Sequence, residues 1–363
     1  MNTKLKIAVI FGGKSSEHEV SLMSATSVMN AMDKEKYEII PIGITKKGQW
    51  MLYDGPIDQI ETGEWEDIAR EKIKKDPKKY DFYIVPMGQQ AKTAKSLKEL
   101  ADVVFPILHG PLGEDGTIQG LFEMADVAYV GTGVLASSVG MDKIYTKKVF
   151  EQEKLPIGKY MVVMRKKLRE DQEACLKEIE EKFAYPIFIK PANLGSSVGI
   201  SKVHDRKELI SGLLKAAKHD RKILIEAFIK GREIECAVLG NDEVKASIPG
   251  EILPSHEFYD YDAKYFDDGK SKMIIPANLP EDVIKRIREI AVKAYKSIDC
   301  TGLSRVDCFF DEENDRIYIN EINTMPGFTK FSMYPLLWQE TGIPYTKLID
   351  ELIKLAIERY EDR

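Results

Sequence analysis

Ser304-Arg305-Val306-Asp307-Cys308-Phe309 and Tyr318-Ile319-Asn320-Glu321-Ile322-Asn323-Thr324-Met325-Pro326-Gly327 both alternate polar and apolar residues. Between them Asp311-Glu312-Glu313-Asn314-Asp315 is turn-forming, so the two runs read as arms of a β-hairpin. Side chains two apart share a strand face, which groups Arg305 with Asp307 on one arm and Glu321 with Asn323 on the other. The turn sets Asp307 about opposite Glu321. Two carboxylates, one amide and one guanidinium therefore converge. That is too few hard oxygens for a calcium cage, but it suits Mg²⁺ that keeps waters and takes its other ligands from substrate phosphates. A nucleoside triphosphate is the expected source of those phosphates. The plainer alternative is a solvated hairpin with acidic rims. It fits poorly, because Val306, Phe309, Phe310, Ile317, Ile319 and Ile322 make the hairpin an interior one, where unpaired carboxylates are costly.

Lys190-Pro191-Ala192-Asn193-Leu194-Gly195-Ser196-Ser197-Val198-Gly199 carries a second phosphate signal. It lies between two strand-like runs and so reads as a flap. Successive Gly and Ser amides, Ser197 among them, can form a concave nest for phosphate oxygens, and Lys190 adds a point charge. Taken alone this is an ordinary Gly-Ser loop; with the distant hairpin it reads as the other half of one site. Gly12-Gly13-Lys14-Ser15 is no P-loop, since Ala8 stands where the first glycine belongs, and Ser15 and Ser16 break the dinucleotide fingerprint. Along Ile223 to Glu233 a strand exits into a linker. There Glu226 is placed to accept an adenine amino group and Glu233 to take ribose hydroxyls, with Phe228 between them against ATP. The aromatic and acidic stretch from His256 to Ser271 has no periodicity and reads as a lid that excludes water.

The elements that must position these groups begin with a strand Lys6 to Phe11, a Gly12-Gly13 turn, a helix from about Glu19 to Met32 and a strand Glu38 to Ile44, a βαβ start. A strand at Val103 to Pro106 runs into His109-Gly110-Pro111-Leu112-Gly113-Glu114-Asp115-Gly116, then a helix Leu121 to Ala125. Strands follow at Ile187 to Lys190, Gly199 to Val203, Ile223 to Glu226, Glu233 to Leu239 and Lys245 to Ile248. Apolar positions 283, 284, 287, 290, 291 and 294 make one face of a helix Glu281 to Ile298, and a last helix spans Tyr345 to Glu358. Asp54 to Leu100 is polar with weak periodicity and reads as a peripheral insertion.

With 363 residues, 44% hydrophobic and 31% charged, the chain is a globular α/β protein of two or three domains. Its net charge of −6 and scattered Lys and Arg exclude a nucleic-acid footprint. No apolar run is long enough for a signal peptide or a membrane span. Cys175, Cys236, Cys300 and Cys308 show no metal or redox spacing and read as buried thiols in a reducing, cytoplasmic setting.

Five blocks together resemble the D-alanine:D-alanine ligase family of ATP-grasp enzymes over nearly the whole chain. They are Phe11 to Ser21, Leu108 to Gly120, Lys190 to Gly199, Tyr259 to Tyr265 and Arg305 through Ser332. The resemblance implies an ATP-grasp fold of three domains: an N-terminal open α/β domain over 1–140, a central lobe with the flap over 141–230, and a C-terminal lobe with lid and metal site over 231–363. It implies that one D-alanine carboxylate attacks the ATP γ-phosphate and that a second D-alanine amine attacks the acyl phosphate. Glu17 matches the holder of the first alanine's amine, with His109 nearby, and Ser196 and Tyr265 match its partners in a triad that orders flap and lid. Lys143 and Lys190 match phosphate-binding lysines, while Lys264 and Ser332 match groups near the γ-phosphate and the second alanine's carboxylate. Arg305 and the Gly327 amide match an oxyanion site. Asp307, Glu321 and Asn323 match the ligands of two Mg²⁺ (or Mn²⁺) ions. The resemblance also implies a cytoplasmic homodimer serving peptidoglycan precursor synthesis. D-serine or D-lactate as acceptor is the alternative; Ala263-Lys264-Tyr265 favours D-alanine. A nucleotide-binding scaffold without turnover would have little use for Arg305 and Lys264.

Overall fold

Ile7 to Phe11 is an unbroken apolar run, as a parallel strand buried on both faces requires, and all five side chains are fully buried. The computed structural model describes residues 4–85, 94–253 and 272–363. Around the strand Leu5–Gly12 lies a sheet in the order Trp50–Leu52, Tyr37–Ile44, Leu5–Gly12, Val103–Ile107, Ala128–Tyr129, parallel except for its first strand. Gly12 and Gly13 turn the chain with φ of +88° and +98° into the helix His18–Ala31. A Cβ at Gly12 would lie 2.2 Å from the Ile44 carbonyl oxygen, so only glycine fits where strand meets helix.

The stretch 54–100 is more than a peripheral insertion. It contains the helix Trp65–Lys75, whose Trp65 is 1% exposed and meets Phe11 edge-on at 5.0 Å. The indole covers Gly43, where any Cβ would stand 2.1 Å from the ring. One tryptophan thus anchors a segment whose average composition is polar.

A second, antiparallel sheet runs Ser201–Val203, Ile187–Pro191, Lys222–Ala227, Tyr160–Met164, backed by the helices Gln172–Lys182 and Arg206–His219 around their own core. The third sheet runs Lys272–Ile274, Gly250–Leu253, Arg232–Leu239, Leu303–Asp311, Arg316–Asn323, and the helix Glu281–Ser297 buries Val283, Ile287, Ala291, Ala294 and Tyr295 against it.

The last helix, Tyr345–Glu361, returns to the first sheet. Leu348, Leu352 and Ile353 share a core with Ile7, Phe105 and Phe328. Near its end the half-buried Arg359 donates to the carbonyls of Gly131 and Tyr129 and lies 4.1 Å above the Tyr129 ring. The first and third sheets are therefore packed as one body. The second sheet carries the flap beside them.

Candidate functional site

Glu17 caps the start of the first helix, where the partial positive charge of the helix favours a carboxylate. It is 6% exposed. Ser196, in the loop between Ile187–Pro191 and Ser201–Val203, donates its hydroxyl to Glu17 Oε1, so the flap is tied to the N-terminal sheet. Ser196 and Ser197 hold φ of +49° and +57°, a conformation that non-glycine residues rarely adopt. Gly110 and Gly195 crowd the other oxygen: a Cβ at either would come within 2.5 Å or 3.2 Å of Glu17 Oε2. His109 lies beside them, its Nδ1 3.2 Å from the Met325 carbonyl and 3.8 Å from Glu114 Oε1. Burial opposes charge on the imidazole, but the Glu114 contact and the nearby Glu17 carry its pKa upward. Burial also raises the Glu114 carboxyl, offset in part by His109.

The hairpin arms pair with Asp307 opposite Glu321 and Arg305 opposite Asn323. Arg305 grips Asp307 with two parallel bonds, Nε to Oδ1 at 2.7 Å and Nη2 to Oδ2 at 2.8 Å, and its Nε also lies 2.9 Å from Glu235 Oε2. Burial would lower the guanidinium pKa, but Asp307 and Glu235 drive it well above its ordinary value. Asn323 Nδ2 donates to Asp307 Oδ2 at 2.8 Å, which leaves the amide oxygen of Asn323 as its atom able to ligate a cation. Lys143 reaches Glu321 Oε2 at 3.2 Å and the Leu194 carbonyl at 3.0 Å. Beyond the hairpin the chain turns so that a Cβ on Gly327 would stand 3.2 Å from Ser332 Oγ.

A register shift between Asp307 and Cys308 leaves Asn320 as an extra residue on the second arm. Such a bulge breaks the strict alternation. Asn320 joins Glu321 on the cleft side and accepts a bond from Lys190 Nζ at 3.2 Å, while Ile319 and Ile322 stay in the core.

At the far end Glu226 is buried between two ammonium groups, Lys147 Nζ at 2.6 Å from Oε1 and Lys190 Nζ at 2.8 Å from Oε2. Burial alone would raise the carboxyl, yet the two lysines hold it down at about 2. Lys190 itself is pushed up: burial works against its charge, and Glu226, Glu321 and Glu233 outweigh it. Phe188 and Phe228, 6.3 Å apart, form an aromatic wall, and Lys202 Nζ sits 4.3 Å from the Phe228 centroid.

Glu17, His109, Lys143, Lys190, Ser196, Ser197, Glu226, Phe228, Glu233, Arg305, Asp307, Glu321, Asn323, Gly327 and Ser332 all line one cleft of about 1160 Å³ between the three sheets. Lys264 and Tyr265 lie outside the described residues, as does the lid reading for His256 to Ser271. Sequence reasoning missed Lys147, Glu235, Asn320 and Glu114, which line the same cleft. Glu235 had a signal: it is two residues from Glu233 and pairs across the sheet with Asp307. Lys147 had a weaker one, its place one helical turn after Lys143.

Among the described residues no group of three or more His, Cys, Asp or Glu side chains could hold a metal ion unaided. Asp307, Glu321 and the Asn323 amide oxygen are a hard-oxygen set short of a full shell. Such a set fits Mg²⁺ or Mn²⁺ arriving with phosphate oxygens and water.

Two family models match the chain, one described as "D-ala D-ala ligase N-terminus" over residues 6–132 and one as "D-ala D-ala ligase C-terminus" over 149–354. A D-alanine--D-alanine ligase of Acetivibrio thermocellus is 54% identical over 100% of this chain and 98% of its own length, and one of Ruminiclostridium cellulolyticum is 53% identical over 99% and 97%. Among solved structures, the VanG D-Ala:D-Ser ligase of Enterococcus faecalis superposes with a TM-score of 0.83 at 39% identity, covering 98% of this chain and 100% of that one. The D-alanine-D-alanine ligase of Coxiella burnetii gives 0.82 at 36%, covering 99% and 95%. A Bacillus anthracis D-alanine--D-alanine ligase complexed with ATP gives 0.71 at 27%, with 99% of each chain covered.

Proposed function

This chain belongs to the D-alanine--D-alanine ligase family, and we propose from that premise how its residues divide the reaction among themselves. It is an ATP-dependent ligase that joins two D-alanines through a D-alanyl phosphate, in peptidoglycan precursor synthesis. Glu17, with His109 beside it, receives the ammonium of the first D-alanine, which leaves that amino acid's carboxylate directed toward the hairpin. Ser196 couples this event to the flap. Glu226, Phe228 and Glu233 take the adenosine, and Lys143, Lys190 and the amides around Ser197 take the phosphates. Asp307, Glu321 and Asn323 would hold two Mg²⁺ or Mn²⁺ ions, and these would supply neutralisation of charge on the phosphoryl group.

The carboxylate attacks the γ-phosphate and ADP leaves. Arg305 and the Gly327 amide then face the oxyanion that forms when the second D-alanine's amine attacks the acyl carbon; Ser332 receives that amino acid's carboxylate. Fixed donors placed where charge develops lower such a barrier without reorganising. Phosphate departs, the attacking nitrogen gives up a proton with it, and the amide remains. Lys264 is assigned to the γ-phosphate and Tyr265 to the Glu17–Ser196 triad by the family resemblance, and an acyl phosphate needs protection from water.

The observation that carries this reading is spatial: Glu17 from the start of the first helix and Arg305, Asp307 and Glu321 from the third sheet line one cleft, and Ser196 of the flap bonds Glu17. The chain divides at 1–140, 141–230 and 231–363 and works as a cytoplasmic homodimer, whose mass light scattering would report. D-alanine is the acceptor; the D-Ala:D-Ser neighbour stands at 39% identity against 54% for the D-alanine ligases. Phosphate release that depends on D-alanine, with the dipeptide identified by mass, tests the whole reading. ATP hydrolysis indifferent to D-alanine would overturn it.

A further inference from the structure

Glu226 has two counter-ions, Lys147 and Lys190, and they are placed differently. Lys143 and Lys147 are one turn apart on the helix Lys143–Gln152, so both ammonium groups project from the same face into the cleft. Lys143 serves the hairpin end, through Glu321 and the Leu194 carbonyl. Lys147 is 3% exposed, and its partner among the described residues is Glu226 at 2.6 Å, with the Tyr160 ring 5.9 Å away. The second lysine on Glu226 is differently placed. Lys190 ends the strand that leads into the flap, bonds Asn320 as well, and is the one assigned to phosphate.

We propose that Lys147 is a positioning residue for nucleotide selection, the permanent countercharge that keeps Glu226 ionised and correctly aimed after Lys190 turns to the phosphates. The inference rests on the reading of Glu226 as the adenine contact. A buried carboxylate that loses its countercharge takes up a proton. Ionised, Glu226 only accepts hydrogen bonds, which matches the 6-amino group of adenine and repels the 6-oxo group of hypoxanthine. Protonated, it can donate to that 6-oxo group, and the distinction between the two bases collapses. The groups facing Glu226 are Lys147 from the helix, Lys190 from one neighbouring strand and Tyr160 from the other, with Glu233 and Glu321 of the third sheet beyond Lys190.

The test is the ratio of kcat/KM for ATP to that for ITP, measured by D-alanine-dependent phosphate release between pH 6 and 9. In Lys147→Met the ratio should fall about tenfold near neutral pH, the size expected for one hydrogen bond to a charged group, mainly through KM for ATP. It should recover as pH rises and Glu226 loses its proton. Lys147→Arg should retain the wild-type ratio at every pH. Because Lys147→Met leaves a buried charge less well paired, the double variant Lys147→Met/Glu226→Gln guards against misfolding: with no carboxyl left to titrate, it should show a low ratio that is flat with pH. An unchanged ratio in a folded Lys147→Met protein, or a double variant whose ratio still climbs with pH, overturns the inference. Glu226→Gln alone separates the two claims. If it leaves the ratio untouched, the adenine reading itself fails; if it lowers the ratio while Lys147→Met does not, only the role of Lys147 fails.

Discussion

Ser196→Ala removes the hydroxyl that ties the flap to Glu17 while leaving the rest of the cleft in place. The acceptor is a carboxylate in a nearly closed environment, 6% exposed, so the bond belongs to the charge-assisted class. Such bonds contribute about 1.5 to 3 kcal/mol, which converts to roughly 10- to 150-fold in affinity where the bond is what holds Glu17 for the first D-alanine. The φ of +49° at Ser196 adds a control. Alanine keeps the roughly 1 kcal/mol cost of the left-handed conformation, whereas Ser196→Gly removes the same hydroxyl and relieves that cost. If the hydroxyl bond matters, both variants should show KM for the first D-alanine raised at least tenfold, with flap amides 192–200 exchanging faster in Ser196→Ala. If only the loop backbone matters, glycine should be near wild type. Initial rates of phosphate release over a wide range of D-alanine resolve the two amino-acid sites. A Ser196→Ala enzyme with unchanged KM for the first D-alanine refutes the coupling of flap to donor.

Glu321→Gln should nearly abolish turnover with the fold intact by circular dichroism; near-normal phosphate release at ordinary Mg²⁺ would contradict the metal assignment. Gly110→Ala should cripple donor binding, since its Cβ would stand 2.5 Å from Glu17 Oε2 at a φ of +74°, and equilibrium dialysis with D-alanine checks this. Trp65→Ala should cost about 3 to 5 kcal/mol in denaturant unfolding, as expected for emptying a fully buried indole site. The Glu226 carboxyl is depressed from 4.5 to about 2, so its pairing contributes stability above pH 4.5 that is lost as pH falls toward 2. Acid unfolding of Glu226→Gln should therefore be less steep across that window.

Where function follows from period-two alternation, the sequence was readable in detail. Asp307 and Glu321 were placed opposite each other from the length of a turn, and the register agrees. Alternation cannot announce its own interruption, so it gives no sign that Asn320 joins Glu321 on the cleft side. Lys147 escaped because a lysine on an amphipathic helix ordinarily stands in water, and its burial depends on a carboxylate 79 positions away in the chain (226 − 147). Trp65 was hidden by the acids and lysines around it; weak periodicity describes an average, while one large ring over Gly43 decides where the segment sits. The strand Tyr160–Met164 gives no signal, since most of it is only half-buried and lacks the contrast that marks an interior strand.

The return of the helix Tyr345–Glu361 to the first sheet has a consequence for how the protein is made. Tyr37 bonds Asp350, and Ile7 and Phe105 share their core with Leu348 and Leu352, so the earliest strands wait for partners encoded some 300 residues later. At roughly 5 to 20 residues per second, a ribosome needs about 15 to 60 seconds to cover that distance. During this interval the first strands are synthesised without their last covering helix, and their apolar face is open to chaperones or to another nascent chain. The middle sheet, with a core of its own, can close before either neighbour is complete. Stop codons or fusions that remove residues 345–361 should therefore show up as loss of soluble yield, before any question of catalysis arises.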